Sequence, residues 1–353
     1  MVKKVILVGG LVLLVGAFFG WKHVAAFLNG RETTVNEKAV RFVVDDQQSI
    51  EAIAADLVEK KILSGKDAFI AVANYKELAI ERIGKGMYQI EPGTSCRALL
   101  NGFTLNAAGN GNAEIEVDVT FNNCQTIQDL CDKVAACLAL KSEELQQYIL
   151  NGETLEKYDF TVESIPALFL PNSYKMYYDT DAEQFVARMA DEFKSFWNAD
   201  RMSKLAKVGL KSPSQAVTLA SIVYGEQSKN SSEWPIIAGL YLNRLKSGMK
   251  LQSDPTFKFC WGDQLKGVQR LTFEHRTKDC PYNTYLYAGL PPGPISLPPT
   301  AVVDAVLNRD NNNYLYMCAQ ANYDGLHNFA KDYSVHAKNA TQFQNWLASE
   351  LAQ

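Results

Sequence analysis

Behind Lys3 and Lys4 the chain carries no charge from residue 5 to residue 21. An apolar run of about 17 residues is at the short end of what crosses a bilayer, and it is expected to be helical and buried in lipid. Two fates fit it, an uncleaved anchor and a removable signal peptide. Apolar character resumes over residues 24–28 after Lys22 and His23, and Ala25-Ala26 offers only a weak cleavage site. Trp21 and Lys22 suit the interfacial end of a span, where an indole and a snorkelling ammonium are favoured. The anchor is the preferred reading, which makes residues 1–30 a cytoplasmic stub and an N-terminal transmembrane helix. Lys22 and Arg31 oppose Lys3 and Lys4, so the charge bias is modest; the bulk of the chain is read as lying outside the cytoplasm.

The chain as a whole has globular composition, with 47% hydrophobic and 21% charged residues over a length of 353. That length allows more than one packed unit. The net charge is −4, and no Lys/Arg stripe or zinc-finger spacing occurs, so nucleic acid is a poor candidate partner. The seven cysteines include no C-x-x-C pair, so neither a zinc nor a thioredoxin-like site is expected. Cys260 and Cys280 flank a polar loop and Cys124 and Cys137 flank a helix; either pair could be bridged, or the thiols could be buried and free.

Residues 41–44 read as a strand, 49–58 as a helix behind a serine cap, 66–75 as a second helix, 86–90 as a strand, and 92–95 as a turn into a helix carrying Leu99 and Leu100. These make one module over residues 38–105. The small and polar stretch 106–112 is the expected boundary, with a second domain over 113–353. In it, residues 115–121 alternate as a strand, helices are expected at 126–139, 142–150 and 182–197, Pro171-Asn172-Ser173-Tyr174 begins a turn, and the C-terminal helix at 340–351 looks ordinary.

The unusual residues lie between 212 and 336. Ser212-Pro213 starts a helix, with serine at the cap and proline in the first turn. Glu226 lies seven, four and three residues after Leu219, Ile222 and Val223, on the same face as those aliphatics. A carboxylate there is partly desolvated, which raises its pKa and suits a general acid. If the helix stops at Gly225, Glu226 simply faces water. A second helix runs from near Ser232 to Lys246 and carries Asn243 on an apolar face, where a satisfied core amide is the bland reading. Then come Leu251-Gln252-Ser253-Asp254-Pro255-Thr256, Pro281-Tyr282-Asn283-Thr284-Tyr285 and Gly289-Leu290-Pro291-Pro292-Gly293-Pro294-Ile295. Amide and hydroxyl side chains interleaved with aromatics on loops suit a sugar cleft.

Taken together, LASIVYGEQ (219–227), LYLNRLKSGMKLQSDPT (240–256), PYNTYLYAGLPPGPI (281–295) and GLHNFAKDYSVH (325–336) resemble the endolytic murein transglycosylase family, also called YceG- or MltG-like. GMYQIEPGTS (86–95) and LFLPNSY (168–174) resemble further landmarks, and a weaker match extends over residues 40–336. The resemblance implies an α+β fold: an N-terminal transmembrane helix, a LysM-like module and an α+β catalytic domain. It places the chain on the cell inner (plasma) membrane as a single-pass protein, with its catalytic domain in the periplasm or otherwise extracytoplasmic. It implies peptidoglycan glycan strands as substrate, peptidoglycan synthases as candidate partners, and no cofactor. By motif, Glu226 matches the catalytic glutamate, and Asn243, Gln252, Asp254, Tyr282, Asn283, Thr284 and His327 would line the cleft. The family often has another glutamate where Tyr224 stands here, and Asn172 replaces the aspartate of its PDTY landmark.

The expected reaction is cleavage of the MurNAc–GlcNAc β-1,4 bond with 1,6-anhydro-MurNAc ends, ending nascent strands. Attack by the muramyl 6-hydroxyl is intramolecular, so one carboxylate suffices where ordinary glycosidases use two. The alternatives are a muramidase-type hydrolase with Asp254 as second carboxylate and a non-catalytic peptidoglycan-binding scaffold. His327 and His336 lie nine residues apart and no H-E-x-x-H occurs, which disfavours a zinc enzyme; a structural role is expected for His336.

Overall fold

A computed structural model describes residues 21, 23–25, 27–45, 48–107, 109–265, 268 and 272–352. The apolar run at residues 5–21 lies, apart from Trp21, outside the described residues. Among the described residues no helix is long and apolar enough to cross a membrane. The longest of them, Tyr333–Leu351, is interrupted by His336, Lys338, Asn339 and Glu350. The expected fold class is corrected accordingly: the described fold is mixed α and β, and a transmembrane helix is not one of its elements.

The chain divides into two compact units. One runs through Asp118 and takes in Cys137–Ala139 and Lys175–Thr180; the other holds Val119–Ala136, Leu140–Tyr174 and Asp181–Gln353. In the first, β1 (Val40–Val44) pairs antiparallel with β2 (Gly86–Ile90), Val40 opposite Ile90. Between them come α1 (Ile50–Glu59) and α2 (Asp67–Tyr75), and α3 (Cys96–Phe103) comes after β2. Ser49 and Ser95 cap α1 and α3 by accepting from the amides of Ala52 and Ala98, donors that otherwise lack intrahelical partners. Phe103 is the centre of the core, 5.8 Å from the Phe42 ring and 4.6 Å from that of Tyr88. The strand expected at 115–121 is present as β3 (Glu116–Phe121), its alternate residues Val117, Val119 and Phe121 buried.

The second unit is largely helical. Its elements include α4 (Ile127–Ala135), α5 (Ser142–Ile149), α6 (Gly152–Tyr158), α7 (Ala182–Phe196), α8 (Ala199–Lys207), α9 (Pro213–Glu226), α10 (Trp234–Lys246), α11 (Asp254–Trp261), α12 (Thr300–Leu307) and α13 (Tyr333–Leu351). The segment from Pro171, expected as a turn, feeds instead into a strand, β4 (Asn172–Tyr177), because Tyr174 and Met176 alternate into the core and Tyr174 stacks on Phe121. Cys124 and Cys137 are not bridged, whereas Cys260 and Cys280 are.

Helix α9 is the axis of this unit. Ser212 caps it, Pro213 fixes its first turn, and every residue from Ala216 to Val223 is buried. A helix apolar on all sides belongs in the middle of a domain. Helices α10 and α12 pack on it through Ile237, Leu240, Val303 and Val306. Ser221, fully buried, accepts from the Ile295 amide at 3.0 Å and ties the Gly-Pro segment to the axis. A two-stranded sheet, β5 (Tyr316–Ala319) with β6 (His327–Ala330), has Ala319 opposite His327.

Candidate active site

The last residue of α9 is Glu226. Its Oε1 accepts from the Tyr241 hydroxyl at 2.7 Å and the Ser253 hydroxyl at 2.5 Å. Both donors converge on one oxygen, and Oε2 has no partner among the described residues and is not sealed from solvent. Burial raises the Glu226 pKa above the ordinary glutamate range. The two hydroxyls pull it down, nearby Asp254 pushes it up, and His327 pulls it down. With Oε1 occupied as an acceptor, the proton of the neutral acid belongs on Oε2.

Glu226 opens into a cleft of about 580 Å³ within the second unit. Tyr241, Gln252, Asp254, Tyr285, Met317–Ala319, His327 and His336 line it with Glu226. The turn carrying Ser253 is seated by a close approach: a Cβ on Gly225 would lie 2.8 Å from Cβ of Pro255, so glycine lets that proline rest on the last turn of α9. Thr284 holds the same turn from behind, its Oγ1 accepting from the Ser253 amide at 3.0 Å and its carbonyl from the Gln252 amide at 3.1 Å. That support maintains Gln252 at φ +51°, a left-handed conformation costing about 1–3 kcal/mol for a non-glycine residue.

Asp254 is tethered. Its Oδ1 accepts from the Tyr285 hydroxyl at 2.5 Å, and its Oδ2 lies 3.5 Å from Nη2 of Arg276. Arg276 stands in the loop closed by the Cys260–Cys280 bond, with its guanidinium 5.0 Å from the Tyr285 ring centre. His327 is held by Glu233, a buried carboxylate that accepts from the His327 amide and from its Nδ1, both at 2.8 Å. A carboxylate at Nδ1 fixes that nitrogen as the donor and leaves Nε2 for the cleft. Gln227 completes the support, donating to Glu233 at 2.9 Å and to the Gly325 carbonyl at 2.8 Å.

The structure thus brings Glu226, Gln252, Asp254 and His327 around one cleft. The other four expected residues are not among those that line it. Asn243 donates to the carbonyls of Asn312 and Tyr314, pinning the approach to β5. Tyr282 packs on Phe259 at 4.6 Å. Asn283 is fully buried and donates to the carbonyls of Arg276 and Lys278. Thr284 supports the turn that carries Ser253. Conversely, Tyr241, Ser253, Arg276, Tyr285 and His336 reach the site without having been singled out for it. A tyrosine inside an apolar helix stretch was the one available signal, since a buried hydroxyl needs a partner. His336 stacks on Tyr316 with ring centres 5.3 Å apart, so it both packs and lines the cleft.

A carboxyl whose pKa burial raises, with one oxygen anchored and the other free in a polar cleft, has the make-up of a candidate acid–base site on a mostly helical unit. The chain belongs to the YceG-like family, which it matches over residues 42–342. It is 26% identical over 355 residues to an endolytic murein transglycosylase of Bacillus subtilis (strain 168), covering 93% of this chain and 92% of that one. An endolytic murein transglycosylase of Streptococcus pneumoniae (strain ATCC BAA-255 / R6) is 22% identical over 95% of this chain, which spans 63% of that relative's length. The crystal structure of a YceG-like protein of Listeria monocytogenes superposes with a TM-score of 0.54 at 23% identity, covering 86% of this chain and 99% of that one.

Proposed function

We propose that this protein is an endolytic lytic transglycosylase of peptidoglycan that works through a single catalytic carboxyl, Glu226. The observation that carries the reading is the asymmetry of that carboxyl, with Oε1 held by Tyr241 and Ser253 and Oε2 open to the cleft. Family membership and relatives named endolytic murein transglycosylase support the substrate class. Protonated Oε2 donates to the glycosidic oxygen between N-acetylmuramic acid and N-acetylglucosamine. Tyr241 and Ser253 then stabilise the carboxylate that forms. That carboxylate takes the proton of the muramyl 6-hydroxyl, which attacks its own anomeric carbon and closes the 1,6-anhydro ring. Asp254, tied down by Tyr285 and Arg276, sets its carboxyl group in the same cleft, beside the positive charge developing on the sugar.

Cuts of this kind within newly made strands would end their growth, a strand-terminase role. Residues 38–105 serve in this reading as a LysM-like module that holds the strand. The second unit works outside the cytoplasm, where its substrate lies and where a Cys260–Cys280 bond persists.

A muramidase-type hydrolase is the second reading, favoured by the presence of Asp254 in the same cleft. The test is digestion of purified glycan strands with analysis of the new ends. Anhydromuramyl ends, lost in Glu226→Gln, are expected. Reducing muramic acid ends would favour the hydrolase, full activity of Glu226→Gln would remove the residue assignment, and strand binding without any product would indicate a scaffold.

A further inference from the structure

Arg244 lies in the last turn of α10 and is only 8% exposed. Its Nε donates to the Leu315 carbonyl at 2.6 Å, and its Nη1 to the Leu251 and Lys250 carbonyls at 2.6 and 3.4 Å. Those carbonyls and the C-terminal end of the helix ease the burial of a cation without cancelling its charge. No carboxylate pairs with it among the described residues, which is unusual, because buried charges are ordinarily paired. The remaining arm, Nη2, has no protein partner among the described residues and is not sealed from solvent, and Arg244 lines the cleft that Glu226 opens into. Tyr241, which holds Glu226, stands three residues earlier on the same helix, a spacing that puts Cβ atoms about 5–6 Å apart. Arg244 therefore stands one helical turn from the residue that anchors the acid. The Tyr316 ring centre lies 5.6 Å from the guanidinium carbon.

We propose that Arg244 forms a carboxylate-binding subsite of the cleft, taking an acidic group of the glycan substrate through Nη2. The proposal rests on the glycan-cutting function proposed for Glu226 and deepens it. Sugar hydroxyls and N-acetyl groups call for no cation, whereas a muramyl-bearing strand carries carboxylates on the lactyl group, where that is free, or in the peptide stem attached to it. Both present the planar acceptor that a guanidinium fits. Backbone ties explain Nε and Nη1, but they leave unexplained a buried positive charge that is open to the cleft.

The test measures binding to full-length Glu226→Gln. Soluble strands are offered in three forms: with peptide stems, stripped to the free lactyl carboxylate, and with all carboxylates amidated. The Kd of amidated strands is expected to be roughly tenfold or more above that of an acidic form, and the better-bound acidic form identifies the source. Arg244→Lys, which keeps the charge and loses the planar fork, is expected to narrow that gap. Because the backbone ties put the folding of Arg244 variants at risk, the comparison of the three strands with Arg244 intact decides by itself. Equal Kd for the three forms, or binding of none, overturns the subsite. Cleavage by the wild-type chain separates the two ideas. Acidic and amidated strands cut and bound alike remove the subsite and leave the cutting reading intact. Carboxylate-dependent binding without any cutting does the reverse.

Discussion

At the scale of single residues, the burial that raises the Glu226 pKa also destabilises the folded state once the carboxyl ionises. Its pKa is raised, by burial first, so the native state holds the proton more tightly than the unfolded chain. Stability therefore falls as pH rises from the ordinary glutamate range, about 4.3, towards the raised value. Glu226→Gln cannot ionise and escapes that loss. It is expected to melt higher than the wild type near neutral pH, with the difference shrinking towards about pH 4, where both side chains are uncharged. Thermal melts at the two pH values check this, and a difference that does not change with pH would count against a desolvated carboxyl. Turnover of the same variant is expected to drop by about 10²–10⁴-fold. Tyr241→Phe and Ser253→Ala each remove a donor that favours the charged form. The alkaline fall of kcat/KM should then move to higher pH in both variants, and a limb that moved down would show that these hydroxyls do not hold Oε1.

At the scale of elements, the site depends on the fit between the end of α9 and the turn before α11. Gly225→Ala places a methyl 2.8 Å from Cβ of Pro255, and the rigid ring must shift, taking Ser253 and Asp254 with it. Overpacking of this kind costs about 1–3 kcal/mol. Activity is expected to fall further than stability, by about 100-fold, because small displacements of catalytic groups are that damaging. Rate and melting temperature measured together check this; unchanged turnover would mean the turn is not positioned this way. The Cys260–Cys280 bond closes a loop of sequence separation 20 that includes Arg276, the partner of Asp254. Replacing both cysteines by serine should cost about 3 kcal/mol on chain-entropy grounds, which denaturant unfolding would read. Helix α9 was legible because its cap, its proline and its unbroken apolar stretch are local signals. Strand β4 was not, because Pro and Asn favour turns locally and only the packing of Tyr174 on Phe121 reveals an extended chain.

At the scale of the molecule, Glu226 could be reached by counting offsets along one helix, and the ordered motifs pointed to its cleft. The groups that define its chemistry could not be found that way. Tyr241 comes from another helix and Ser253 from a turn, and neither has a sequence spacing to Glu226 that fixes their meeting. For the same reason Asn243, Asn283 and Thr284 looked like cleft residues. Buried amides and hydroxyls have the same composition whether they meet a sugar or a backbone carbonyl, and here they tie loops together. The second unit assembles one anchored carboxyl, and one tethered aspartate beside it. In the proposed reaction Glu226 cuts as the single catalytic carboxyl and without water, and digestion of glycan strands in water enriched in oxygen-18 tests this most directly. Muramyl ends in the anhydro form and free of the heavy isotope are the expected result. Reducing muramic acid ends carrying oxygen-18 would show that water attacks, and would contradict it.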